Sequence, residues 1–227
     1  MFFEDRVDAG RRLAARLGHL GREPVVVLGL PRGGVPVALQ VARAMGAPLD
    51  VIVVRKLGVP LQPELAMGAI GEDGVRIINE DVVRLAGVSE SELAAVEERE
   101  RAELERRAGR FRRDRPRTPL EGQTVVIVDD GIATGSTARA ACQVARAHGA
   151  ARVVLAVPVA PPDWAATMGD DADELVALDT PEPFWAIGQF YRDFSQTSDE
   201  EVVACLNEAD PPQRDEHLDV VAGPCWC

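Results

Sequence analysis

Residues Thr124 to Thr137 read TVVIVDDGIATGST, and the order of residue types in this stretch decides the fold. Val125, Val126, Ile127 and Val128 form a short β-branched run, which fits a strand buried on both faces and so a parallel sheet. The run stops at two carboxylates, Asp129 and Asp130. Open α/β sheets bind ligands outside the carboxyl ends of their strands, so an acidic pair at that edge is placed to face one. Gly131, Ala133, Gly135 and Ser136 give a tight small-residue turn, and the alanine-rich stretch Thr137 to His148 predicts a helix. The turn and first helical residues present N–H groups without intrahelical acceptors, and Thr134, Ser136 and Thr137 add hydroxyls, which together suit a phosphate monoester. Hard carboxylate oxygens suit ribose hydroxyls and a hydrated Mg²⁺. In the free protein the two carboxylates should repel each other, so neutralising both is expected to leave folding unharmed. The competing reading is an ordinary buried strand followed by an exposed turn. A nucleotide-binding P-loop fits worse, because no lysine precedes the hydroxyl residues.

Upstream, Pro24 to Leu30 predicts a second buried strand, and it opens into Pro31-Arg32-Gly33-Gly34 before an alanine-rich helix from Val35 to Met45. The logic of strand, glycine loop and helix is thus repeated. Paired glycines let a backbone approach a bulky anion, and the Arg32 fork binds phosphate oxygens in pairs. Leu49 to Val54 predicts a third buried strand running into Arg55 and Lys56, with a long loop over Leu57 to Met67, where Gly58, Pro60 and Pro63 break any period. Lys56 is the only lysine among 25 lysines and arginines, which invites a chemical reason.

The remainder alternates in the same way. Asp5 to Leu20 predicts an amphipathic helix, Ala66 to Ile70 and Val75 to Asn79 predict strands about Gly71-Glu72-Asp73-Gly74, and Asp81 to Ala86 predicts a short helix. Ser89 with Glu92 makes a capping box for a helix to about Arg113, whose Glu97, Arg101, Glu105 and Arg106 read as a solvated, salt-laced face. After the opening stretch come a strand at Arg152 to Val159, a short helix around Trp164, a strand at Glu174 to Leu178 and a helix at Asp199 to Leu206. Strand and helix in alternation predict an α/β fold, a parallel sheet with helices on both faces. Residues 1–206 are expected to form one domain and residues 207–227 a mobile tail.

A net charge of −12 and a pI near 4.8 argue against general nucleic-acid affinity. No 18-residue apolar run offers a membrane span, and the charged first dozen residues do not resemble a secretory signal, so a cytoplasmic protein is expected. Cys142 and Cys205 read as small core fillers on helices. Cys225-Trp226-Cys227 offers a thiolate pair on an expected tail, a poor metal site. His19, His148 and His217 read as surface histidines without a patterned partner.

VVIVDDGIATGST resembles the PRPP-binding motif of the type I phosphoribosyltransferases: a hydrophobic strand, two acidic residues and a Thr-Gly-small-Thr loop. The resemblance spans about Pro24 to Asp179 and implies Mg²⁺-dependent transfer of the 5-phosphoribosyl group from PRPP to a nitrogenous acceptor, with release of pyrophosphate. It implies that Asp129 and Asp130 hold the ribose and, through water, the metal. It gives the 5′-phosphate to Ile132, Ala133, Thr134, Gly135, Ser136 and Thr137, and the pyrophosphate to Arg32, Gly33, Gly34, Arg55 and Lys56, with Arg55, Lys56 and the two aspartates catalytic. In the family a non-proline cis peptide often precedes the paired glycines, so Pro31–Arg32 is expected to be cis or otherwise strained. A flexible loop after the third strand closes over PRPP, here Leu57 to Met67. A small C-terminal hood, about 180–206, is implied, with Phe184, Trp185, Phe190 and Tyr191 near the acceptor base; hydrophobic glue for the C-terminal helix is the other reading of these aromatics. Hypoxanthine-guanine members carry aspartate where Ala133 stands, which puts a 6-oxopurine acceptor in doubt and leaves the acceptor open. A homodimer is expected. The alternatives are a regulatory protein that binds PRPP or a nucleotide without turnover, and a hydrolase using the same ribose-phosphate pocket.

Overall fold

The computed structural model describes residues 1–21, 23–113 and 115–209. Five strands form a parallel sheet: β1 (Val25–Gly29), β2 (Leu49–Val51), β6 (Thr124–Val128), β7 (Arg152–Val159) and β8 (Glu174–Asp179), in the order β2-β1-β6-β7-β8. The strand of the opening motif lies at the centre, with Val126 opposite Val27 on one side and Val154 on the other. Successive side chains of a strand point to opposite faces, and the core divides accordingly. Val25, Val27, Val126 and Val128 pack in one cluster with residues of α1 (Arg6–Arg16), α2 (Gly34–Met45) and α7 (Asp199–Ala209). Val26, Leu28, Val125 and Ile127 pack in another with residues of α5 (Ser136–Ala147) and α6 (Trp164–Met168). Helices therefore cover both faces, as strands without a polar side require.

A second sheet, antiparallel, joins β3 (Val54–Val59), β4 (Gln62–Gly71) and β5 (Arg76–Ile78). It is held between α5 and α4 (Glu90–Arg112): Leu57, Met67 and Ile70 pack with Leu104 and Phe111, whereas Val54 and Ala69 pack with Ala141 and Val144. The capping box at Ser89 and Glu92 is present at the start of α4. Near its other end, Arg112 bonds Asp50 of β2 at 2.6 Å and also Glu72, with all three side chains at most 13% exposed. Burial works against that guanidinium's charge, but Glu72 and Asp50 outweigh it and hold the pKa above the usual range. Removing one member of such a buried set leaves uncompensated charge, so α4 is fixed rather than loosely docked.

Three expectations need correcting. Leu49 to Val54 is not one strand: β2 ends at Val51, and Val54 starts β3 in the other sheet. The stretch Leu57 to Met67 is not a long loop but most of a β-hairpin, turning at Pro60-Leu61, with Val59 opposite Gln62. Its period was hidden by register shifts on either side of Gly58, where an added Cβ would lie 2.5 Å from the Pro63 carbonyl oxygen. Finally, α7 continues through Asn207 to Ala209. The expected tail beyond it, His217 and Cys225-Trp226-Cys227 lie outside the described residues. No helix among the described residues is long and apolar enough to cross a membrane. Cys142 is buried on α5 and Cys205 half-buried on α7.

Candidate functional site

The chain leaves β1 through α2 toward β2 at one edge, and leaves β6 through α5 toward β7 on the opposite side. The crevice between β1 and β6 is therefore a topological switch point, where parallel sheets bind ligands. Both glycine loops open there, and the Leu30 N–H donates to the Val128 carbonyl at 2.9 Å, continuing the pairing into the loops.

On the β6 side Asp129 keeps some exposed surface, while Asp130 is 9% exposed. The Asp130 N–H donates to Asp129 Oδ1 at 2.9 Å. Burial, then the neighbouring charge of Asp130, pushes the Asp129 carboxyl well above the usual carboxylate range. Asp130 is also raised by burial, with Arg6 working against it. Arg6 of α1, which sequence reading missed, donates from Nε to Asp130 Oδ2 at 2.8 Å and from a terminal nitrogen to the Ser195 carbonyl at 2.7 Å, its guanidinium 4.1 Å from the Phe194 ring centre. The two carboxylates do repel each other, as expected, but Asp130 also has a cation, so neutralising both would strip Arg6 of its partner. No local pattern signals the pair, whose members are 124 positions apart.

Beyond the acids, Ile132 is buried and its N–H donates to the Val159 carbonyl at 2.9 Å. Ala133, Thr134 and Thr137 are exposed, Ser136 is half-buried, and Gly135 caps α5 with φ 74°, a left-handed conformation that favours glycine. Among the described residues, no protein acceptor faces the N–H groups from Ala133 to Thr137. The Thr134 and Ser136 hydroxyls stand 3.5 Å apart at the same turn. Consecutive free donors at the start of a helix are the physical requirement for holding a phosphate.

On the β1 side the Pro31–Arg32 peptide is cis, as expected. Gly33 and Gly34 serve a purpose that sequence reading gave to a ligand. A Cβ at Gly34 would meet the Val128 carbonyl oxygen at 2.6 Å, and one at Gly33 would lie 1.9 Å from Asp130 Oδ2. The glycines let this loop lie against the acidic pair itself. Gly33 has ordinary helical angles (φ −62°, ψ −30°), where alanine normally stabilises by lowering the entropy of the unfolded chain. Contact reverses that sign. Gly33→Ala should lower stability by about 1–3 kcal/mol as the loop and the Arg6–Asp130 pair separate, and a melting temperature at or above wild type would refute this packing.

Pro31, Arg55, Lys56 and Thr137 come together around one cavity of about 230 Å³, whose lining also includes Arg107 and Phe111 of α4. Every expected cation is partnered. Arg55 bonds Glu100 at 2.6 Å and Lys56 bonds Glu64 at 2.9 Å, while Arg32 lies 3.8 Å from Asp199, whose other oxygen bonds Arg110. The four aromatics expected near the acceptor differ in burial. Phe190 and Tyr191 are 6% exposed and pack with Phe3, Phe184 rests against Phe190 with ring centres 5.4 Å apart, and Trp185 is exposed. The Tyr191 hydroxyl donates to the Asp130 carbonyl at 2.6 Å, so this segment braces the acidic turn from behind. His19 pairs with Glu174 at 2.9 Å, and His148 sits half-buried at the end of α5.

The sequence profile of the family described as phosphoribosyl transferase domain matches residues 3–194. Proteins of two Mycobacterium tuberculosis strains, provisionally named phosphoribosyl transferase, are 61% identical across 98% of this chain. The chain spans about half the length of these curated relatives, 53% of each. The crystal structure of a Thermus thermophilus protein, 47% identical, superposes with a TM-score of 0.86 over 92% of this chain and 99% of that one.

Proposed function

We infer the chemistry from kinship: the chain belongs to the phosphoribosyl transferase domain family. We propose that it transfers the 5-phosphoribosyl group of PRPP to a nitrogenous base and releases pyrophosphate. One observation carries this reading. The run of free N–H groups at Ala133 to Thr137 and the carboxylate of Asp129 open on one crevice, beside the Pro31–Gly34 loop. A 5′-phosphate on the first, ribose hydroxyls on the second and a pyrophosphate toward the Arg55 and Lys56 cavity would lay PRPP across the switch point.

The residues then act chiefly by position and charge. In the reaction the bond from the anomeric carbon to pyrophosphate breaks, its electron pair leaves with the pyrophosphate, and the base nitrogen bonds the same carbon while its proton passes to the departing pyrophosphate or to water. Asp129 faces the ribose where positive charge develops. Arg55 and Lys56 receive the charge of the leaving group, with Arg32 at the other side of the loop. Asp129 fits a magnesium site in its chemistry, since it is a hard oxygen donor that its own surroundings leave short of positive charge. Among the described residues no cluster of three or more histidine, cysteine, aspartate or glutamate side chains is assembled for a metal, so water and ligand oxygens would complete the shell. When bound, Mg²⁺ would neutralise part of the leaving charge. Asp130 is the less available of the two carboxylates, because Arg6 already holds it.

The acceptor is a nitrogenous base of unassigned type, and a cytoplasmic homodimer belongs to the same proposal through the family resemblance. Binding without turnover is the second reading, favoured by the ion pairs that already occupy Arg55 and Lys56. One assay separates them: PRPP, Mg²⁺ and a panel of purine and pyrimidine bases, followed by pyrophosphate release. Base-dependent release is expected. Tight PRPP binding with no release on any base would favour the second reading, and release without a base would favour a hydrolase.

A further inference from the structure

The arginine-rich half of α4 reads as a solvated face, yet Arg107, with its side chain part-exposed, also borders a cavity. The buried residues in this half of the helix are Leu104 and Phe111. Arg107 follows Leu104 by three positions and precedes Phe111 by four, so helical geometry places it on the same face. That face lies against β3, the strand of Arg55 and Lys56. Arg107 and Phe111 accordingly line the 230 Å³ cavity whose other walls include Pro31, Arg55, Lys56 and Thr137. Three cationic side chains from two elements line one cavity, which Thr137, the last residue of the run of free N–H groups, also lines. Among the described residues Arg107 has one ion pair, from Nε to Glu103 at 2.6 Å, which leaves its terminal nitrogens for the cavity.

We propose that Arg107 is a binding residue for the diphosphate group, delivered by a fixed helix rather than by a closing loop. The proposal rests on the transferase reading for the identity of the ligand. Each of the three cations has a glutamate partner, but a diphosphate carries enough negative charge and enough oxygens to compete with those carboxylates and engage all three. A phosphate monoester is better matched to the N–H run at Ala133 to Thr137. The fixed delivery agrees with the fold. The segment expected to act as a lid is a β-hairpin, and α4 is secured by its capping box and by the buried Arg112–Asp50–Glu72 set.

The test uses the full chain, with inorganic pyrophosphate and ribose 5-phosphate as separate calorimetric probes in the presence of Mg²⁺. Arg107→Ala should weaken pyrophosphate about tenfold or more and leave ribose 5-phosphate within about twofold, and Arg107→Lys should recover part of the loss. Equal losses for both probes would mean a disturbed fold and overturn the assignment, as would undiminished pyrophosphate binding by Arg107→Ala or none by the wild type. Failure here is distinguishable from failure of the transferase reading. Turnover of PRPP with Arg107-independent pyrophosphate binding removes only the Arg107 role, whereas Arg107-dependent binding without turnover on any base removes only the transferase.

Discussion

Asp129→Asn is expected to bind PRPP about 10- to 100-fold more weakly than the wild type and yet to melt at a higher temperature. The loss follows from removing a carboxyl that would give up its proton on binding ribose hydroxyls and Mg²⁺; a hydrogen bond to a charged group contributes about 1.5–3 kcal/mol. The gain follows from burial. The folded protein raises the Asp129 carboxyl, so it holds a proton that the unfolded chain would release, and stability falls as pH rises above the ordinary carboxylate range. Asparagine carries no charge to desolvate and still offers an oxygen to the Asp130 N–H, which Asp129 Oδ1 accepts at 2.9 Å. The difference in melting temperature should therefore vanish near pH 4 and widen toward pH 8. Asp130→Asn should not share the gain in melting temperature: burial raises this carboxyl too, but the substitution leaves Arg6, with its side chain only 12% exposed, without its carboxylate. Calorimetry and melts across this pH range decide the matter. Unchanged PRPP affinity in folded Asp129→Asn removes its ligand role, and a stability difference that ignores pH contradicts the buried-charge explanation.

The contrast between these aspartates shows where sequence reading stops. The apolar run at Val125 to Val128 implied a buried strand, since burial on both faces leaves no polar alternation, and in the structure that strand is buried between β1 and β7. The β1 loop was legible for the same reason, being an apolar strand that ends in glycines. Arg6 was not legible, because an ion pair across 124 positions leaves no local period. The β3–β4 hairpin was hidden by its own irregularity: the shifts around Gly58 break the two-residue alternation, and Pro60 and Pro63 mimic a loop. Charge was legible on the outer face of α4, where Glu105 and Arg106 are exposed and Arg101 pairs with Glu97, but not on its inner side. Arginines and glutamates at helical spacing normally mark a wet face, but Glu100 and Arg107 lie on the side packed against β3, where Glu100 bonds Arg55. The C-terminal aromatics were found as a cluster, but their composition could not reveal that Phe3 would fill the same space.

Lys56→Ala should slow turnover by about 100- to 1,000-fold, the range for removing one preorganised donor to developing charge, while changing PRPP affinity much less. The two basic residues at the start of β3 are held differently. Arg55 gives both Nε and a terminal nitrogen to one oxygen of Glu100, whose side chain is 13% exposed, so it braces β3 against α4. Lys56 pairs with Glu64, which is 83% exposed and close to the hairpin turn. An exposed pair of that kind contributes about 0–1 kcal/mol, so Lys56 can leave it for a stronger anion at little cost. A compact ammonium on a flexible stem can follow a leaving group as its charge grows, whereas the fork of Arg55 is committed to one geometry. An interaction that strengthens toward the transition state shows in rate more than in binding. Arg55→Ala should instead lower stability and affinity together with rate, because Glu100, 13% exposed, is left with only the exposed Arg99 as a partner. Glu64→Gln, which frees Lys56 without altering it, should leave turnover intact. The decisive comparison is the rate and PRPP affinity of both single alanine variants with an active acceptor. A near-wild-type rate for Lys56→Ala beside a collapsed rate for a stably folded Arg55→Ala transfers the role to Arg55, and two near-wild-type rates show that neither residue receives the leaving charge.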